Sequence, residues 1–312
     1  MSIELRPPII LFGNTRSGTS MVQNVLSVHP DIVKWYEPRT LWLCADPKRS
    51  HDEFDEGDAT EKVKKYIRKR FLRYQRQHSN RIVMEKTPTN IFKIRYVHEI
   101  FPEATFMYIV RNPFSFISSV ELKWQRTASK KGIRRRLKCT PVTQWHHYAR
   151  DLFMQQFNKR IRGHKYLIIW GPRYKGIDQD FKTHDMLSVI ARQWAEGSRK
   201  AEEALSYISR SKGQVLRIKY EEFVEAPIQE MERICRYCGI DLTDDMVRSA
   251  KESVKADRQD KWKRFDPRDL ARVLPEISDE MARHGYEVPP EIAMVNGNLP
   301  YSEAATADAT GF

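Results

Sequence analysis

The sequence predicts an α/β fold, a parallel β-sheet flanked by helices on both faces. Two observations predict it. Four short apolar runs rich in β-branched residues, at 9–12, 81–84, 105–110 and 214–218, are bounded by polar or turn residues and read as strands. Amphipathic helical patterns at 19–28, 63–74, 91–101, 114–124, 184–208, 228–237 and 269–284 lie between and beyond them. Strands alternating with helices are the pattern of βαβ units, whose crossover helices cover both faces of a buried parallel sheet. Ligands of such sheets collect at the carboxyl ends of the strands, so chemistry is expected just after each strand.

Composition sets the outer limits. The 312 residues are 40% hydrophobic and 30% charged, which supports a sizeable core and excludes a wholly disordered, collagen-like or multi-span membrane chain. A single domain is expected over residues 1–295, with a variable, mainly helical insertion at 126–183 and a loosely ordered tail at 296–312. Lys and Arg total 54 against 41 Asp and Glu, a net charge of +13 that calls for an anionic partner: nucleic acid, a membrane surface or a phosphate-rich small molecule. Segments 62–76 and 123–138 each hold eight basic residues and no acidic one. Cys44, Cys139, Cys235 and Cys238 are too scattered for a disulfide framework, so a reducing compartment is expected. The apolar run at 9–12 is too short for a signal-peptide core, and no stretch approaches the roughly 20 apolar residues of a membrane span. The expectation is a cytoplasmic chain without a targeting or transmembrane segment.

The first strand runs into Gly13, Asn14, Thr15, Arg16, Ser17, Gly18, Thr19 and Ser20, and then into a helix pattern. This is the layout of a phosphate cradle, in which backbone N–H groups and the positive end of a helix dipole face an anion. Gly13 and Gly18 have the spacing of the glycines in G-x-x-x-x-G-K-[ST], but Thr19 fills the lysine position and a cation comes earlier, as Arg16. A triphosphatase needs that lysine on the β- and γ-phosphates. The substitution therefore argues for a smaller anion held without a metal. Cys235-x-x-Cys238 has no second pair and reads as packing cysteines rather than a metal site.

The run from Arg16 to Ser20 resembles the 5′-phosphosulfate loop of sulfotransferases that use 3′-phosphoadenosine 5′-phosphosulfate, a family built on a P-loop-like α/β fold. Arg111 at a strand end, with Ser119 eight residues later, resembles the family element that holds the nucleotide 3′-phosphate. Glu85-Lys86-Thr87-Pro88 resembles the segment after the second core strand of glycan sulfotransferases, and Lys219-Tyr220-Glu221-Glu222 the family's late strand and acidic turn. Lys261-Trp262 looks like the basic-aromatic element that closes over the nucleotide in tyrosylprotein sulfotransferases. The resemblance covers about residues 8–125 and 184–265, and its pattern is nearest to the tyrosylprotein and heparan or glycan types.

The resemblance implies 3′-phosphoadenosine 5′-phosphosulfate as co-substrate, 3′-phosphoadenosine 5′-phosphate as product, and no metal. Ser17, Gly18, Thr19 and Ser20 would hold the 5′-phosphate with Arg16; Arg111 and Ser119 would hold the 3′-phosphate, with Lys123 one helical turn farther on the same face; and Tyr220, Lys261 and Trp262 would lie near the nucleotide. Sulfuryl transfer needs a base for the acceptor proton, cations for developing charge, and in-line positioning. Cytosolic members commonly use a histidine after Lys-Thr, and here that place is Pro88. Tyrosylprotein and heparan-type members instead place a glutamate about 21 residues beyond the loop cation. Glu37 lies 21 residues beyond Arg16, past His29-Pro30-Asp31, and is the implied general base, with Arg16 and Lys86 as the cations. Glu85 and the histidines of the insertion stay open as rival bases. Arg39 could orient the base or bind the acceptor.

The segment 126–183 has no family counterpart, which makes it the acceptor side. Its Trp145, His146, Trp170 and Tyr174 suit a small-molecule or glycan acceptor with a hydroxyl or amine, and no nucleic acid is expected as partner. Two other classes remain: a P-loop kinase or nucleotidase, and a noncatalytic anion-binding protein. The basic segments leave room for peripheral contact with an anionic surface.

Overall fold

The computed structural model describes residues 4–124, 171–211, 213–254 and 260–296. Five strands form one sheet: β1 (Ile9–Gly13), β2 (Ile32–Tyr36), β3 (Ile82–Lys86), β4 (Thr105–Val110) and β5 (Val215–Lys219). Their order is β2-β3-β1-β4-β5, and every pairing is parallel. β1 is central, and all five of its residues are buried, as a strand covered on both faces requires. Alternate side chains enter opposite cores: Ile10, Phe12, Val83, Phe106 and Tyr108 on one face, Ile9, Leu11, Met84, Met107 and Ile109 on the other.

Helices cover both faces. Over the core that holds Leu11 lie α1 (Thr19–Leu26) and, after β5, α8 (Tyr220–Glu225), α9 (Pro227–Cys238) and α10 (Asp244–Ser253). Over the other lie α3 (Glu61–Gln77), α4 (Ile94–Ile100), α5 (Pro113–Trp124), α6 (Ile177–Thr183) and the long α7 (Met186–Arg210). The short α2 (Arg39–Trp42) and the terminal α11 (Pro267–Arg272), α12 (Leu274–Arg283) and α13 (Pro290–Asn296) complete that side. Starts are set by local chemistry: the Thr60 side chain accepts from Val63 N at α3, and Asp185 accepts from Leu187 N and Ser188 N at α7.

The structure departs from the periodicity in several places, α10 and α13 among them. The predicted helix at 91–101 is a 3-10 turn, Pro88–Phe92, followed by α4, with the 3-10 turn starting at Pro88. The pattern at 269–284 is two helices, because Pro275 opens α12 and has no N–H with which to continue α11. β2 was not expected as a strand. It is an edge strand with only Ile32 and Val33 buried, so it lacks the continuous apolar signature of the central strands. Of the insertion, residues 171–183 are described and residues 125–170 lie outside the described residues, as do residues 297–312 of the tail. Cys44, Cys235 and Cys238 carry no disulfide.

Candidate active site

The chain leaves β1 toward β2 on one side of the sheet and leaves β4 toward β5 on the other. The crevice between the ends of β1 and β4 is therefore the topological switch point, where parallel sheets bind ligands. The loops that meet there carry Arg16 and Arg111. Gly13 ends β1 so close to β4 that a Cβ would stand 2.7 Å from the Ile109 carbonyl oxygen, and the loop turns immediately. Asn14 anchors it from beneath, its buried amide donating to Trp194 O at 3.1 Å and Ser198 Oγ at 3.2 Å on α7. Arg16 follows with φ of 66°, a conformation that turns its carbonyl toward Arg111. Arg111 Nη1 donates to Arg16 O at 2.8 Å, and Trp194 Nε1 donates to Arg111 O at 2.9 Å. One tryptophan thus ties both loops to α7.

Gly18 holds φ of 91° as the cap of α1, and Tyr220 packs against it so tightly that a Cβ would meet Cδ2 at 2.4 Å. The Tyr220 ring also lies under the Arg111 guanidinium, 4.2 Å from its centre. Arg16 Nε donates to Ser119 Oγ at 2.9 Å, so the residues expected at the 5′- and 3′-phosphates share one crevice. Ser17 Oγ is completely buried in the cradle and has no hydrogen-bond partner. A buried orphan hydroxyl costs free energy unless something else satisfies it, and a phosphate oxygen in the cradle would. Thr19 is buried, Ser20 is exposed, and Lys123 stands one turn beyond Ser119 on α5.

The second cluster forms where β2 and β3 end. Tyr36 pairs in register with Lys86, and Glu37 follows with φ of 36°. Lys86, only 2% exposed, places Nζ 2.6 Å from Glu37 Oε1, while Glu37 is 31% exposed. Glu85 points the other way and is fully buried, accepting from Thr87 Oγ1 and from Asn90 Nδ2 at 3.2 Å. Burial pushes its carboxyl up to about 7, although its hydrogen bonds and Lys86 oppose the shift.

Several predicted residues sit elsewhere. Arg39 donates its backbone N–H to Glu37 O at 2.7 Å, but its guanidinium lies 3.5 Å from Asp52, away from the Glu37 carboxylate. Tyr174 is buried, with its hydroxyl on Asp180 Oδ2 at 2.6 Å. Trp262 is buried 5.7 Å from the Phe114 ring and Lys261 is exposed; the neighbouring Arg264 makes the contacts to α5, on Ser118 and Glu121. Trp145, His146 and Trp170 lie outside the described residues.

Sequence reasoning missed Asn14 and Trp194, and it missed a buried ion pair beside Arg39. Lys93 is fully buried with Nζ 3.3 Å from Asp52 Oδ1, and Asp52 also accepts from Arg173 N at 2.8 Å. Burial lowers Lys93 to about 8 against the pull of Asp52, while Lys93, Arg39 and the Arg173 N–H overcome burial to hold Asp52 below its usual range. In the sequence, Asp52 opens an acidic cluster, Asp52-Glu53-Phe54-Asp55-Glu56-Gly57-Asp58, which reads as a surface loop. No cluster of three or more His, Cys, Asp and Glu residues suited to a metal occurs among the described residues. No described helix is long and apolar enough to cross a membrane.

Comparison with known proteins fits this geometry. Solved structures share the fold: the sulfotransferase domain from the curacin biosynthetic pathway, at 15% identity and TM-score 0.57 over 92% of this chain and all of that one, and the sulfotransferase domain of the Synechococcus PCC 7002 olefin synthase, at 14% and 0.53 over 92% and 98%. The nodulation protein NoeE of Sinorhizobium fredii (strain NBRC 101917 / NGR234) is 25% identical over 142 residues, 40% of this chain, and the chain spans only 34% of that protein's length. The sequence model of the sulfotransferase family matches residues 7–169 and 173–245, so the cradle, the β4 loop and the Glu37–Lys86 pair all fall within the matched segments, and the chain belongs to the sulfotransferase family.

Proposed function

We propose that this chain transfers a sulfuryl group from 3′-phosphoadenosine 5′-phosphosulfate to a hydroxyl or amine of a small-molecule or glycan acceptor, with Glu37 as general base. The observation that carries the reading is the Lys86–Glu37 pair at the carboxyl end of β3, the strand next to β1, whose own loop is a cradle without a Walker lysine. The donor, when bound, supplies the sulfuryl group and an anionic leaving phosphate. The cradle residues Ser17, Gly18, Thr19 and Ser20 bind its 5′-phosphate through N–H and hydroxyl groups, and Arg111 and Ser119 bind its 3′-phosphate, with Lys123 adding charge. Tyr220, braced by Arg111, gives the adenine an aromatic wall. Arg16, on a residue held at positive φ, and Lys86 face the charge that builds on the leaving oxygen. Glu37 takes the proton from the acceptor hydroxyl as its oxygen bonds to sulfur.

Lys86 suits this because a rotatable ammonium can turn from Glu37 to the leaving oxygen as charge moves. The fold also leaves Glu37 partly exposed while Glu85 is buried and engaged, which favours Glu37 over its neighbour as the base. The acceptor enters from the side where the insertion rejoins the core near Asp52, and residues 1–295 act as one domain. The kinase alternative is not favoured by the family or by Thr19.

Thermal stabilisation tests the donor. 3′-Phosphoadenosine 5′-phosphate at saturating concentration should raise Tm, by roughly 2.7 kcal/mol of linkage at a hundred times Kd, while ATP with Mg²⁺ should not. Preferential stabilisation by ATP and Mg²⁺ would return the reading to a kinase or nucleotidase. Glu37→Gln should keep the nucleotide shift and lose about 100- to 10,000-fold in turnover.

A further inference from the structure

A second polar cavity lies on the far side of β5 from Tyr220, under the end of α12. Its volume is about 230 Å³, and its wall includes Tyr108, Arg217, Lys219, Glu222, Arg283 and His284. Arg217 and Lys219 alternate along β5 and so share the face that carries Tyr108 and Val110 on β4. None of these residues belongs to the donor cradle.

The cations here are only partly committed. Arg217 puts Nη2 on Glu202 Oε2 at 2.6 Å, and Arg283 puts Nη1 on Glu280 Oε1 at 3.1 Å. Lys219 makes no ion pair among the described residues and stands 5.5 Å from the centre of the Tyr286 ring. The other nearby carboxylate on the strand end, Glu221, is occupied by Asn112 N–H at 3.0 Å and the Tyr286 hydroxyl at 2.9 Å. That leaves Glu222, exposed on α8, as the carboxylate on the wall itself.

At the wall His284 is 7% exposed, its Nδ1 lies 3.8 Å from Glu202 Oε1, and its Nε2 has no hydrogen-bond partner. The ring is packed between Tyr108 and Trp194, with centroids at 6.0 and 6.2 Å. Burial, and then Arg217, Arg283 and Lys219, push its pKa down to about 4. Three cations therefore bear on the imidazole, beside the Glu202 carboxylate. Three cations and a buried ring nitrogen without a partner thus meet at the wall of one cavity, and a buried polar atom left so is costly.

We infer that this cavity is a binding site for a small oxyanion, held by Arg217, Lys219 and Arg283 and receiving a hydrogen bond from Nε2–H of His284. The anion supplies the missing partner of Nε2 and the counter-charge for Lys219. Because it favours the protonated ring, binding tightens as pH falls toward 4, with Nδ1–H then facing Glu202. The titratable groups that set this response are Glu202 from α7, Arg217 and Lys219 from β5, Glu222 from α8, Glu280 and Arg283 from α12, and Tyr108 from β4. Occupancy would brace the end of β5, one residue before the tyrosine that packs on Gly18. The inference does not depend on the proposed transfer reaction.

The test follows the His284 ring by NMR in the full chain at constant ionic strength set with chloride, while inorganic sulfate, inorganic phosphate or acetate is added. The resonance is assigned with His284→Gln or, if that variant does not fold, through contacts to Trp194 and Tyr108. Sulfate or phosphate should shift it saturably and raise its titration midpoint by at least one pH unit, in the parent and equally in Arg16→Ala, whose cradle is altered. A response to acetate alone would identify the ligand as a carboxylate. Lys219→Met with Arg283→Ala should weaken the shift at least tenfold. The site is refuted if no added anion shifts the resonance beyond chloride, if the shift survives undiminished in the double variant, or if it disappears in Arg16→Ala.

Discussion

The Lys86 ammonium lies 2.6 Å from Glu37 Oε1, an ion pair that joins the ends of two neighbouring parallel strands. The lysine is almost completely buried and the glutamate is not, so the two respond differently to loss of the partner. A buried ammonium without a carboxylate is costly, whereas a half-exposed carboxylate without an ammonium turns to water.

Lys86→Met should therefore fold, with Tm within a few degrees of the parent, while losing about 100-fold or more in turnover because the developing charge has lost its cation. Turnover with labelled donor across an acceptor panel, run beside a thermal melt, checks both halves. Full activity in Lys86→Met would remove the lysine from the mechanism.

Gly18→Ala should cost about 1–3 kcal/mol and weaken nucleotide binding, since φ of 91° strains any Cβ and Tyr220 Cδ2 would lie 2.4 Å away. Tyr220→Leu in the same chain should recover part of the loss by making room. A double-mutant cycle from urea melts measures this coupling, and strict additivity would show that the ring does not set the constraint.

Asp52→Ala leaves Lys93 wholly buried without its carboxylate and should cost about 3–5 kcal/mol. Adding Lys93→Met should return much of it, because the stranded charge is then gone. Chemical denaturation of the three variants decides the matter; a double variant no more stable than Asp52→Ala would mean that the Arg173 N–H and Arg39 contacts, rather than Lys93, carry the cost.

Two buried groups give opposite pH slopes. Glu85 titrates near 4.5 when unfolded and about 7 when folded, so between those values the folded chain holds a proton that the unfolded chain has released. Its contribution to stability falls as pH rises through that window, by an amount on the order of 3 kcal/mol. His284 titrates near 6.5 unfolded and about 4 folded, so stability is lost as pH falls from 6.5 toward 4. Glu85→Gln removes the first slope, and its stability relative to the parent should improve from pH 5 to 7.5 in urea melts. A pH-independent difference would show that Glu85 titrates normally.

The amino-acid sequence by itself determined the sheet and the cradle. The runs at 9–12 and 106–110 are buried on both faces, and such strands announce themselves as continuous apolar segments whatever they pair with, while the edge strand β5, with only Ile218 buried, shows through Val215, Leu216 and Ile218. The glycine spacing, Arg16 and Arg111 likewise follow directly from strand ends, because a loop that leaves a central parallel strand has one place to go. β2, the other edge strand, stayed hidden because its two buried residues, Ile32 and Val33, end at the exposed Lys34 and make no longer apolar run. Only the tertiary structure decided that Lys86 rather than Arg39 meets Glu37, since strand register sets the first contact and the buried Asp52 draws Arg39 to 3.5 Å. It also decided that Trp194, 180 residues from Asn14, holds the loops after β1 and β4. Contacts of that range depend on which helix the fold lays across the sheet, and local residue patterns carry no record of it.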